Sequence, residues 1–191
     1  MISELESYAI EHKIPIMQKD GILYLCEYIK KNNVKRILEI GSAIGYSAIM
    51  MGSVSDDIYI TTIEKDVLRY NEACANVLKF GMDKRINVIN MDAKEYVCEG
   101  KYDLIFIDAS KGNNKYFFNR FKDNLNDDGV IITDNLAFHG LVMDSSLVKT
   151  KNQRGIVNKI KDYIDFLDNN LEFVTEYVSV GDKISISRRN L

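Results

Sequence analysis

Residues 36–47 read RILEIGSAIGYS, and the rest of the chain can be laid out from them. Arg36 to Ile40 is a short apolar run rich in isoleucine, the composition of a strand buried on both faces. Gly41 and Gly45 interrupt it, and Tyr46-Ser47 opens a segment of mixed character. The chain therefore leaves a strand through a glycine-bearing turn and enters a helix. At the carboxyl end of a parallel strand, such glycines let the backbone approach a ligand closely. The same G-x-x-x-G spacing also suits tight strand-to-helix packing with no ligand. The third glycine of G-x-G-x-x-G is missing, which counts against a dinucleotide and its pyrophosphate.

Outward from this unit, apolar β-rich runs alternate with longer amphipathic stretches, the pattern of βαβ units around a mostly parallel sheet. Tyr59 to Ile63, Ile86 to Asn90, Tyr102 to Ile107 and Val130 to Thr133 read as further buried strands. Asp66 to Phe80 reads as a helix stopped by Gly81, with others at Ile22 to Lys30 and at Ile156 to Leu167. Leu171 to Val180 and Lys183 to Ser187 flank Gly181-Asp182, a two-residue turn that suits a hairpin, so the sheet is expected to end in antiparallel strands. The fold class is α/β, doubly wound, with a C-terminal antiparallel hairpin. One domain over residues 1–191 is expected, its first 20 residues forming an N-terminal lid segment.

The chain has 191 residues, 46% hydrophobic and 28% charged, the balance of an ordinary globular protein. No apolar run approaches the roughly 20 residues that span a bilayer, so no membrane partner is expected. The N-terminus lacks the basic-then-apolar pattern of a secretory signal, which makes the cytoplasm the expected location. Three cysteines, Cys26, Cys74 and Cys98, show no CxxC spacing and read as buried small apolar residues rather than disulfide or zinc ligands. A net charge of −3 leaves any affinity for nucleic acid to a local patch.

Four strand ends carry polar groups. The second closes on Glu64, 23 residues beyond Gly41, where an acid can accept hydrogen bonds from both ribose hydroxyls of a nucleoside. The third closes on Asn90-Met91-Asp92-Ala93, where adenine could meet Asp92 and the Ala93 backbone. The fourth closes on Asp108-Ala109-Ser110-Lys111 and the fifth on Asp134-Asn135. Asp108, Asp134 and Asn135 form a hard-oxygen set suited to Mg²⁺ or Mn²⁺ and poorly suited to zinc. An ion there would lower the pKa of a substrate hydroxyl, and Lys111 could take its proton. Each has a plainer reading: Glu64 as a solvated charge, Asp134-Asn135 as loop capping.

EIGSAIGYS, TTIEKD and NMDA together resemble the class I S-adenosylmethionine methyltransferases, whose Rossmann-like sheet has seven strands. The resemblance places methionine and sulfonium near Gly41 and Ser47, ribose at Glu64 and adenine near Asp92 and Ala93. Met17 then falls where that family's N-terminal lid touches the cofactor, although it could equally be core. With IDASK and ITDN added, the chain is similar to the cation-dependent O-methyltransferases of catechol and caffeoyl-coenzyme A type, from about Gly21 to Ser187. The resemblance implies Asp108, Asp134 and Asn135 as metal ligands, with Asp108 also beside the transferring methyl. Within that family AIGYSAI, TIEKDVLRYNEA, DASKGNNKYFF and DNLAFHGLV look most like the bacterial tRNA 5-hydroxyuridine methyltransferases. Their substrate carries adjacent ring oxygens that can chelate one metal as a catechol does. A homodimer is expected, the lid being short or supplied by a partner subunit.

Lys149, Lys151, Arg154, Lys159 and Lys161 fall within thirteen positions that contain no acid. Such a run can grip the phosphates of a tRNA anticodon loop while Phe138 or His139 stacks on a splayed base, or it can simply solvate a helix face. The competing expectations are methylation of a small catechol-like molecule and a nucleoside-binding protein without chemistry.

Overall fold

The computed structural model describes residues 1–109 and 112–190. Seven strands, β1 (Arg36–Ile40), β2 (Tyr59–Glu64), β3 (Ile86–Asn90), β4 (Tyr102–Ile107), β5 (Leu125–Thr133), β6 (Phe173–Val178) and β7 (Ile184–Arg189), form one mixed sheet with an antiparallel C-terminal hairpin, as expected, in the order β3-β2-β1-β4-β5-β7-β6. The chain divides into two compact units, the first ending at Val97 and the second beginning at Cys98.

The first unit contains α1 (Ile2–Glu11), α2 (Lys19–Lys31), β1 (Arg36–Ile40), α3 (Tyr46–Gly52), β2 (Tyr59–Glu64), α4 (Val67–Lys79) and β3 (Ile86–Asn90). Its three strands are parallel, with Ile40 opposite Ile63 and Glu64 opposite Asn90. Ile37, Leu38 and Ile40 are buried, and α2 turns Ile22, Leu25 and Ile29 inward at helical spacing. Asp66 caps α4 by accepting the Leu68 and Arg69 amides, each at 3.0 Å. The helix ends where expected: Gly81 is left-handed (φ 67°), and the Gly81 and Met82 amides return to the Leu78 and Val77 carbonyls in a Schellman arrangement.

The N-terminal segment, expected as a lid, holds a helix that the sequence reading did not single out. Its first part is the regular helix α1, burying Leu5 and Ala9. Tyr46 Oη–H donates to Glu6 at 2.9 Å, and Lys79 pairs with Glu4 at 3.2 Å. Only two inward apolar residues mark it, too few to show a period in the sequence.

The second unit contains β4 (Tyr102–Ile107), α5 (Asn114–Phe121), β5 (Leu125–Thr133), α6 (Lys151–Asp168), β6 (Phe173–Val178) and β7 (Ile184–Arg189). β4 and β5 are parallel; β7 runs antiparallel to both β5 and β6. The Lys183 amide donates to the Val180 carbonyl at 3.0 Å, so Gly181-Asp182 forms the expected two central turn residues, flanked by short unpaired connections. α6 begins five residues before its predicted start, because Thr150 and Gln153 form a reciprocal capping box. The cysteines are free but half-buried, not fully buried as predicted. No helix among the described residues is long and apolar enough to cross a membrane.

Candidate functional site

In the first unit the glycine turn is a strained and firmly held loop. Gly41, Ala43 and Gly45 all have positive φ (100°, 43° and 82°). Glu64 is buried rather than solvated, with each carboxylate oxygen accepting a backbone amide at 2.9 Å: Ala43 on Oε2 and Asp66 on Oε1. A carboxylate offers about four lone-pair sites, so both oxygens keep capacity for the hydroxyls of a ribose. The Asn90 side-chain amide and the Met91 backbone amide both donate to the Glu64 carbonyl, at 2.9 and 3.1 Å, fastening the ends of β2 and β3 together.

Asp92 accepts the Lys94 amide at 2.9 Å, and its own carbonyl accepts the Glu95 amide. It therefore opens a turn just before the buried Ala93. Met17 is buried, which agrees with its plainer reading as core. Ser47 is also buried and donates its hydroxyl proton to Glu39 Oε1 at 2.5 Å.

Glu39 is a buried acid beside the glycine turn to which the sequence reading gave no role. Fully buried on β1, it also accepts Thr62 Oγ1–H on Oε2 at 2.5 Å. Burial pushes its carboxyl up to about 7; the Ser47 and Thr62 hydroxyls hold it down, while the Glu64 charge raises it further. The only sequence signal is an acid in the middle of an apolar strand. Among the described residues Ser42 Oγ, buried inside the glycine turn, meets no hydrogen-bond partner, a donor ready for a polar ligand.

In the second unit Asp108, Asp134 and Asn135 are brought together. Asn135 Nδ2–H donates to Asp108 Oδ1 at 2.7 Å and to Asp134 Oδ2 at 3.3 Å. Asp134 is buried, its amide continuing the β4–β5 ladder to the Ile107 carbonyl, while Asn135 is left-handed (φ 67°). Among the described residues no three His, Cys, Asp or Glu side chains are grouped around a metal position. The donor set here is two carboxylates and one carboxamide. Two negative oxygens converge on one amide group, and a half-turn of that group would offer its oxygen in place of its N–H, so the residues fit a small oxygen-seeking cation. Lys111 lies outside the described residues.

Beyond Asn135 the chain folds over the hairpin turn. Leu136 and Ala137 amides donate to the Lys183 and Asp182 carbonyls at 2.9 and 2.8 Å, and the His139 amide donates to Asp182 Oδ1 at 2.6 Å. Lys149, Lys151, Arg154, Lys159 and Lys161 are all exposed. Lys151 and Lys159, with Gly112, Asn113, Asn152 and Gly155, line a groove of about 540 Å³.

A doubly wound seven-stranded sheet with β7 inserted antiparallel between β5 and β6, and a glycine turn closed by an acid at the end of the second strand, has the Rossmann-like methyltransferase fold. The chain belongs to the O-methyltransferase family, which matches it over residues 1–190. It is an S-adenosylmethionine-dependent O-methyltransferase, and several of its relatives are named for caffeoyl-CoA. A solved structure from Staphylococcus aureus, a candidate caffeoyl-CoA O-methyltransferase, is 35% identical with a TM-score of 0.95, covering 99% of this chain and 92% of that one. The caffeoyl-CoA O-methyltransferase of Populus kitakamiensis is 28% identical over 177 residues, 87% of this chain and 74% of the relative. TomG, an O-methyltransferase from Streptomyces achromogenes solved in complex with SAM, shares the fold at 18% identity and a TM-score of 0.82, covering 100% of this chain and 89% of TomG.

Proposed function

We propose that this enzyme methylates 5-hydroxyuridine at the tRNA wobble position, giving 5-methoxyuridine, with a divalent cation, Mg²⁺ or Mn²⁺, held by Asp108, Asp134 and Asn135. Bound there, the ion would lower the pKa of the acceptor hydroxyl. The chain's own residues do the rest. Glu64 accepts the ribose hydroxyls of the cofactor while keeping the glycine turn in shape through Ala43. Glu39 holds Ser47, and with it the start of α3, against β1 and β2. Gly41 and Ser47 lie along the methionine part, with Ser42 Oγ as a further donor in the same turn, and Asp92 and Ala93 beside adenine. Asp108 stands by the transferring methyl, and Lys111 receives the proton as oxygen attacks in line with the departing sulfur.

The observation that carries the RNA reading is the groove lined by Lys151 and Lys159 in a protein whose net charge is −3. Phosphates held there would release counterions, so binding should weaken steeply with salt. A second reading is favoured by the relatives named for caffeoyl-CoA, because coenzyme A also carries phosphates and caffeoyl a catechol.

One experiment separates the two. Purified enzyme is offered hypomodified tRNA carrying 5-hydroxyuridine and, separately, caffeoyl-CoA. Methylation of the tRNA, with weaker binding and a flatter salt dependence after Lys149, Lys151 and Arg154 are neutralised, supports the RNA reading. Efficient methylation of caffeoyl-CoA with none of the tRNA replaces it.

A further inference from the structure

We infer that Asp182, on the hairpin between β6 and β7, is a positioning residue for the methyl acceptor and acts through His139. An aspartate in a Gly-Asp turn ordinarily faces water. Asp182 is instead buried, and its carboxylate accepts the backbone amide of a residue 43 positions earlier in the chain, at 2.6 Å. The residue so held is not part of the core: the His139 side chain is 67% exposed, with its Nδ1 3.9 Å from the second Asp182 oxygen. A buried carboxylate is thus used to fix the backbone beneath an exposed ring.

The segment it fixes is strained. Asn135, Phe138 and His139 all have positive φ (67°, 48° and 54°), followed by Gly140 at 84°. Non-glycine residues persist in this region only where the surroundings over-determine them, and such outliers gather at functional sites. Here the hairpin supplies the determination. Three hydrogen bonds run from residues 136–139 to Asp182 and Lys183, and Lys183 is itself left-handed at 63°. The same segment begins at Asn135, whose carboxamide bridges Asp108 and Asp134. A hairpin distant in sequence therefore sets the path of the chain that leaves the candidate metal ligands and places an exposed imidazole four residues on. An aromatic acceptor ring has a planar face for that imidazole to meet.

This inference rests on methyl transfer to a ring hydroxyl but not on the ring belonging to RNA. The test compares the wild type with Asp182→Ala, Asp182→Asn, His139→Ala and the double alanine variant, using a 5-hydroxyuridine anticodon stem-loop and caffeoyl-CoA as acceptors. Losing a hydrogen bond to a charged group is expected to raise the acceptor KM about tenfold in Asp182→Ala, with cofactor Kd unchanged. His139→Ala should do the same, and the double variant should be no worse than either single one. Asp182→Asn keeps an acceptor oxygen for the His139 amide and should restore most of the loss.

Amide exchange at His139 should be slow in the wild type and in Asp182→Asn and fast in Asp182→Ala. If Asp182→Ala does not fold, His139→Ala must still raise the KM and Asp182→Asn must still protect the amide. Unchanged acceptor KM in folded Asp182→Ala or His139→Ala, additive losses in the double variant, or unprotected wild-type exchange would each overturn the inference. An inert RNA beside a caffeoyl-CoA KM that shifts as described retains it and removes only the RNA reading.

Discussion

Replacing Glu39 by Gln should change the way stability depends on pH. The carboxyl is fully buried, and its folded-state pKa is raised to about 7 from an ordinary 4.5, chiefly by burial. The neutral acid is therefore the form the fold prefers. Its contribution is fully present below pH 4.5, declines as pH rises through the interval to about 7, and is absent above it. At 1.36 kcal/mol per pH unit, that interval is worth about 3 kcal/mol. Glutamine cannot ionise. It fits the same space, and the Ser47 and Thr62 hydroxyls can each reverse to suit its amide, so any offset it brings is independent of pH. Urea unfolding of both proteins at intervals between pH 4.5 and 8 measures the effect. The wild type should lose about 3 kcal/mol relative to Glu39→Gln across that range, all of it below pH 7.5. Parallel curves would refute the claim that Glu39 is held as the neutral acid.

Glu64→Ala should weaken S-adenosylmethionine binding by about tenfold to a hundredfold, the worth of charge-assisted hydrogen bonds, in calorimetric titration of the folded variant; unchanged affinity would remove Glu64 from the ribose site. Chelation should abolish methyl transfer and Mg²⁺ or Mn²⁺ should restore it, while cofactor affinity survives. Asp134→Ala combined with Asn135→Ala should mimic the chelator, and activity that persists in that variant would exclude these residues as metal ligands.

The strands were legible because burial on both faces leaves an uninterrupted apolar run: RILEI, INVIN and YDLIFI coincide with β1, β3 and β4 to the residue. β5 starts at Leu125 rather than Val130, since Asn126 to Gly129 has the composition of a turn although the chain remains in the strand. Glu64, Asp108, Asp134 and Asn135 could be singled out because polar groups at strand ends are conspicuous. Glu39 and Asp182 could not. What distinguishes them is what buries them, residues far off in the sequence, and nothing adjacent to an acid announces that.

The bond from the Ala43 amide to Glu64 has a kinetic consequence. Because the loop is tied down by the chain's own groups and not by contacts to a ligand, the cofactor meets a finished cradle and need not wait for one to form. Association should then be governed by diffusion and orientation, with little of the delay that ordering a segment imposes. The demethylated product can likewise leave without unmaking the cradle, because the tether joins two of the chain's own groups.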